Sequence, residues 1–263
     1  MFGYILTEER AIGPAGVEDV ELPAFRAYLS AQGLETGEGP QPSMEQDLRN
    51  RGVLTEIGGV LHPTLYGILA FGKEPQRFPQ TASFWIECAA YAGTDRASEV
   101  LLTGDAKGRL DEQVRRAVGW VLGLAKFERY EGLQRRDAHL VPQVALREAL
   151  VNAVAHRDYA ITGSKVLLEV YTDRLEITSP GTLPNHMTVE GVRSGGHPRS
   201  RNESMAHFLL VSGLMEQRGR GWPILRKSMQ TFNGTDPELI NETRNRFVRV
   251  ILRLGQPEDC VPG

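Results

Sequence analysis

The sequence predicts an α/β fold, and three observations carry that reading. Two long segments, 105–127 and 145–156, place apolar residues at helical spacing. Past residue 160 the period drops to two, in Lys165–Tyr171, Arg174–Thr178 and Arg246–Leu254. The first two of these strands meet at Thr172-Asp173, a hairpin turn, so the sheet is expected to be mixed and mainly antiparallel.

The elements follow in order. Val20–Leu34 reads as one helix with Phe25, Tyr28 and Leu29 inside, and Leu34–Pro42 as a Gly/Pro-rich linker. A helix over Ser43–Asn50 is capped by Ser43, with Glu45 near its positive end. Val53–Leu61 reads as a hairpin around Gly58-Gly59, and Leu65–Phe71 as a short helix that Gly72 ends. Phe84–Tyr91 is a strand. Asp105–Phe127 is the longest helix, burying Leu110, Val114, Val118, Val121 and Leu122. After a polar break at Glu131–His139, Pro142 suits the first turn of a helix running to about His156. Ser179-Pro180-Gly181 stops the second strand of the later hairpin, and Gly191–Pro198 reads as a loop. Helices over Ser200–Val211 and Trp222–Phe232 precede the final strand, Arg246–Leu254.

Composition sets bounds. The 263 residues suffice for one large or two modest domains, and a 41% hydrophobic content supplies a core. Thirty basic against 33 acidic residues leave a net charge of −3, which argues against a broad nucleic-acid-binding field. Cys88 and Cys260 lie far apart without metal-ligand spacing. With no membrane-length apolar run and no signal pattern, the expectation is a soluble, cytoplasmic protein.

The chemistry concentrates in Ala145-Leu146-Arg147-Glu148-Ala149-Leu150-Val151-Asn152-Ala153-Val154-Ala155-His156-Arg157-Asp158-Tyr159. Glu148 and Asn152, four apart, project from one face of a helix that otherwise looks buried. Polar groups in such a place are costly unless something polar meets them. Magnesium-bound ATP is a ligand that fits. Asn152 offers an amide oxygen to Mg2+, which binds few protein groups, and Glu148 can orient and deprotonate an attacking water. Gly219-Arg220-Gly221, leading into a helix, lets backbone N–H groups approach phosphate.

This arrangement resembles the GHKL-type ATP-binding domain shared by gyrase, the Hsp90 chaperone, histidine kinases and MutL. It is more closely similar to the branch named RecG-like C-terminal or transcriptional regulator, usually coupled to a Schlafen/AlbA-type module. The residues behind this are the 145–159 segment, Asp173–Pro184, Ser200-Arg201-Asn202 and Gly219-Arg220-Gly221, with Leu69–Pro75 as a connecting region. The resemblance implies a two-layer α/β sandwich over 98–255, a helical and hairpin region over 1–97 and a tail over 256–263. It implies bound ATP and Mg2+, with Glu148 catalytic, Asn152 on the metal, and His156, Arg157, Ser179, Gly181, Asn202, Gly219 and Gly221 around the nucleotide. A regulatory role follows, with a slow ATPase, closure of a 191–201 lid, and a protein partner, a Schlafen/AlbA-type domain or DNA as the target.

The chain departs from the wider group in two ways. Where an Asp reads the adenine amino group, it has Ser179-Pro180-Gly181, and it lacks a Schlafen/AlbA-type segment, as a fragment or pared-down member would. No Walker-type Gly-Lys-Thr/Ser loop is present, which speaks against a helicase motor. Plainer roles stand beside these. His156 suits a helix C-terminus, Arg157 and Asp158 a mutual pair, and Ser200–Glu203 a capping box. The rival function is an adaptor or homo-oligomerisation module that keeps the fold without the ligand, and a third is DNA binding through the first 75 residues.

Overall fold

Facing rows of the central sheet show how it is built. Cys88, Leu168, Ile177, Val250 and Leu239 lie side by side across five strands, and all are buried. One residue along, Ala89, Glu169, Glu176, Ile251 and Glu238 form the next row, on the opposite face. One face is therefore apolar and covered by helices, while the other carries charge.

A computed structural model describes residues 6–34, 43–127, 140–184, 187–195, 200–215 and 221–255. In chain order the elements are α1 (Leu22–Ala31), α2 (Met44–Asn50), β1 (Leu54–Ile57), β2 (Val60–Pro63), α3 (Leu65–Phe71), β3 (Ile86–Tyr91), β4 (Val100–Ala106) and α4 (Leu110–Phe127). Then come α5 (Gln143–Ala155), β5 (Val166–Val170), β6 (Arg174–Pro180), α6 (Val189–Arg193), α7 (Glu203–Val211), α8 (Gly221–Asn233), β7 (Glu238–Glu242) and β8 (Phe247–Arg253). Six strands form one sheet in the order β4-β3-β5-β6-β8-β7, antiparallel except for β3 beside β5. This is the mixed, mainly antiparallel α/β architecture expected. On the apolar face α5 lies between α4 and α8. Each large apolar side chain sealed there, such as Leu168 or Ile177, contributes about 1.5–3 kcal/mol.

The charged face is balanced within itself. Glu169 and Glu176 are buried and directly opposed, an arrangement that repels unless cations intervene. Arg96 grips Glu169 at 2.5 and 2.6 Å, while Arg174 and Arg249 hold Glu176 at 2.7 and 3.0 Å.

The N-terminal elements share this core. Ser43 Oγ accepts the Gln46 N–H at the start of α2, as the sequence predicts. Phe25 and Tyr28 of α1 meet Phe71 of α3, which meets Phe208 of α7 edge-on at 5.3 Å. The buried Glu8 carboxylate accepts the N–H groups of Ser204 and Met205, in the first turn of α7.

Several expectations are corrected. The sheet begins ahead of residue 98, since β3 pairs with both β4 and β5. Asp105 belongs to β4, and the long helix starts at Leu110. The edge strands β4 and β7 are additions to the sequence reading. β6 runs through Pro180, which pairs with Phe247, rather than stopping before it. A short helix, α6, occupies 189–193 in the segment read partly as a loop. The α7 helix starts at Glu203, and Ser200 Oγ is hydrogen-bonded to the Asn202 backbone instead of forming a capping box. The polar break at 131–139, the 256–263 tail and Cys260 lie outside the described residues.

Candidate functional site

α5 is buried nearly all round, with Leu146, Leu150, Val151 and Val154 in the core. Glu148 and Asn152 of α5, with His156 at its C-terminal cap, recur every four residues and so form one polar stripe about 12 Å long. All three line a cavity of about 300 Å³. Ala149 and Ala153 leave room beside them. Ile177 and Ser179 of β6, Leu239 of β7, and Val248 and Val250 of β8 supply the sheet side, with Trp222 and Leu225 of α8 and Val192 of α6 completing the wall. The result is an apolar hollow with polar groups along one edge, the usual make-up of a small-molecule site.

At one end of the stripe Asn152 Nδ2 donates to Glu148 Oε1 at 2.9 Å. A carboxylate only accepts, so this bond fixes the amide's orientation and leaves Oδ1 for another partner. Gly221, the first residue of α8, lies directly against the pair. A Cβ placed there would come within 1.9 Å of Glu148 Oε1 and 3.3 Å of Asn152 Nδ2, so any larger residue would push the carboxylate aside. Ser179 Oγ donates to the Ala153 carbonyl at 2.6 Å, tying β6 to α5.

At the other end, His156 closes α5, its N–H donating to the Asn152 carbonyl at 3.0 Å. Its Nδ1 is buried without a hydrogen-bond partner among the described residues. Burial, with repulsion from the Arg201 guanidinium added, pushes its pKa down to about 4, so the ring is neutral at pH 7. Beyond it, Gly181 has φ +116°, and a Cβ there would meet Asp158 Cβ at 2.6 Å. Its N–H donates to the Arg246 carbonyl, and the Asp158 N–H donates to that of Pro180. The Asp158 carboxylate pairs with Arg246 at 3.0 Å and Arg201 at 3.3 Å. This clasp was not foreseen in the sequence, because its three members are far apart in the chain.

Glu148, Asn152, His156, Ser179, Gly181 and Gly221 are thus gathered around one cavity. Two other candidates are not, and they are corrected. Arg157 is 1% exposed and donates to the carbonyls of Asp158, Ile161 and Ser164 at 2.6–2.8 Å. Its guanidinium lies over Phe84 and Tyr159, and burial lowers its pKa to about 10. Nη1 and Nη2 are spent on the backbone and the side chain does not line the cavity, so it is not placed to reach a phosphate. Asn202, also 1% exposed, donates from Nδ2 to the carbonyls of Ala155 and Arg157, satisfying the acceptors that the end of α5 leaves open. Gly219 and Arg220, and residues 196–199 of the expected lid, lie outside the described residues. Sequence reasoning missed Trp222, although it follows Gly221 directly, and the apolar wall from β7, whose strand had not been recognised.

Residues 163–252 match the family model described as "Putative ATP-dependent DNA helicase recG C-terminal". The stretch from just before β5 to Leu252 in β8 is therefore similar to that family. The match starts after α5, so it does not reach Glu148 or Asn152. Over 97% of its length the chain superposes on 48% of the crystal structure of the DIP2311 protein from Corynebacterium diphtheriae, with a TM-score of 0.67 and 20% identity. That likeness shows the fold, and the chain spans about half the length of the protein it matches. No curated protein matches the chain. Among the described residues no helix is long and apolar enough to cross a membrane.

Two outcomes are expected. Arg157→Met removes the guanidinium donors from three carbonyls, of which Asp158 alone keeps the Ile161 N–H, and should cost about 3 kcal/mol or more, read from the denaturant midpoint. His156 has a folded pKa below its unfolded value of about 6.5, so the unfolded chain takes up the proton first. Its contribution is full above pH 6.5 and is lost as pH falls towards 4, by at most about 1.4 kcal/mol per pH unit. Stability of His156→Gln should show a correspondingly flatter dependence over that window than the wild type.

Proposed function

We propose that the cavity beside α5 binds ATP together with Mg2+, and that the protein is a slow ATPase with a regulatory role. The observation that carries this reading is the Glu148–Asn152 pair, a carboxylate and an amide one turn apart that open onto an apolar hollow. The RecG C-terminal-type match over 163–252 supports it. Asn152 Oδ1 would ligate the magnesium. Among the described residues no cluster of three or more His, Cys, Asp or Glu could hold a metal alone, which suits an ion that arrives on the phosphates. When bound, Mg2+ supplies charge neutralisation on the phosphate oxygens. Glu148 would orient the attacking water and take its proton.

The base fits the apolar wall of Ile177, Leu239 and Val250, with Trp222 near the phosphates. β6 itself ends in Ser179-Pro180, with Gly181 next, and carries no carboxylate there. Ser179 Oγ, whose proton is given to Ala153, has lone pairs for an amino group. A regulatory role, in which binding alters contacts with a protein partner, a Schlafen/AlbA-type domain or DNA, completes the proposal. The adaptor reading draws on a different observation: among the described residues lining the cavity there is no Lys or Arg to meet a triphosphate. Under the ATP reading, magnesium and the start of α8 carry that charge.

A thermal-shift titration separates the two. Mg2+-ATP at 100 to 1,000 times its Kd should stabilise the wild type by about 3–4 kcal/mol, and Asn152→Ala should erase the shift. An unchanged melting temperature at millimolar Mg2+-ATP supports the adaptor and sinks the nucleotide reading.

A further inference from the structure

We infer that His156 and Ser179 together read the edge of the ligand's base: the Ser179 hydroxyl oxygen accepts from an exocyclic amino group, and the His156 ring donates from Nε2 to the base nitrogen beside it. The inference rests on the nucleotide reading above and deepens it, by fixing the base as adenine. Both side chains line the cavity. Each has the sense of its hydrogen bond set by what lies on its other side. Ser179 Oγ spends its proton on the Ala153 carbonyl at 2.6 Å, so towards the cavity it only accepts. His156 is neutral at pH 7 and carries one ring proton. Its Nδ1 is sealed in with no partner among the described residues, and a sealed N–H without an acceptor is the rarer and costlier arrangement. The proton therefore sits on Nε2, which is not sealed, and the ring presents a donor to the cavity.

The fold places the two groups as neighbours. The Ser179 hydroxyl is bonded at Ala153, and His156 follows three residues later at the end of α5, a rise of about 4.5 Å. An acceptor and a donor at that spacing match adenine, which presents an amino group next to a ring nitrogen. Guanine has a carbonyl oxygen where adenine has the amino group, so it would set one acceptor against another at Ser179. The surroundings suit an uncharged base. Among the described lining residues Glu148 is the one acidic or basic side chain besides His156, and it lies about two turns of α5 away. The Arg201 guanidinium near the ring is held off the cavity wall by Asp158 at 3.3 Å and the Thr182 carbonyl at 2.9 Å. Ile177, Leu239 and Val250 supply apolar surface for the faces of the base.

The test is calorimetric titration, in Mg2+, of ATP, GTP and purine riboside triphosphate, which lacks the amino group. Wild type, Ser179→Ala, His156→Leu and His156→Gln are compared. Wild type should bind ATP about 5- to 150-fold more tightly than GTP, the span of one well-made pair of base contacts. Ser179→Ala should lose the advantage of ATP over the amino-free analogue, because the hydroxyl and the amino group act through each other. His156→Leu should weaken ATP about three- to tenfold, as the loss of one neutral hydrogen bond does. Of 1-deaza-ATP and 7-deaza-ATP, the one lacking the contacted nitrogen should bind wild type and His156→Leu equally. His156→Gln keeps an N–H donor and should recover part of the loss, which a merely structural role for the ring would not produce. Where a variant fails to fold, the wild type's ranking of ATP, GTP and the analogues still decides. Equal affinity for ATP and GTP, or a preference for GTP, overturns the base reader and leaves nucleotide binding standing. An ATP preference that survives both Ser179→Ala and His156→Leu does the same. No binding of any nucleotide by the wild type overturns the nucleotide reading and the base reader with it.

Discussion

The hydrogen bond from Asn152 to Glu148, pressed beneath Gly221, is the constraint on which the site depends. It joins two polar side chains inside a helix that the core claims on its other faces. The bond orients the amide, which leaves one oxygen for a ligand. The glycine at the start of α8 brings a helix end against the carboxylate. The proposed nucleotide site rests on those contacts. If α5 and α8 packed a turn differently, the cavity would lose these contacts.

The surrounding structure holds this geometry from several directions. Ser179 ties the sheet to the middle of α5, and Asn202 satisfies the carbonyls at its end. Arg157 gathers the following turn through three backbone oxygens. Asp158 then clasps Arg201 and Arg246, so the segment before α7 and the β7–β8 turn close on the same end of the cavity. Polar residues that looked like ligands in the sequence turn out to be fasteners. The distinction is one of satisfaction: donors already met by backbone acceptors have nothing left to offer a small molecule. His156 differs from them in lining the cavity, with its buried Nδ1 lacking a partner among the described residues.

Much of the fold was legible because the elements are strongly periodic. α1, α2, α3 and α5, together with β3, β5 and β8, fall close to where spacing and caps place them. The two strands that escaped notice, β4 and β7, are the edges of the sheet. An edge strand has a neighbour on one side only. In β4 the apolar Val100, Leu101 and Leu102 are all exposed, so no alternation marks the strand. In β7 the sequence Glu-Leu-Ile-Asn-Glu is short and largely polar. Pairing with β8 makes it a strand, and local preference does not.

By itself the sequence determined the helix bearing Glu148, Asn152 and His156 on one face, because residues four apart must align on any helix. It also determined the alternating strands that back that helix. Only the tertiary structure decided which polar residues meet the cavity and which are spent inside the chain. Arg157 and Asn202 are as polar as Asn152, and they sit in equally suggestive motifs. Their fates differ because hydrogen-bond partners are chosen by spatial neighbours distant in sequence, and no local pattern records those neighbours.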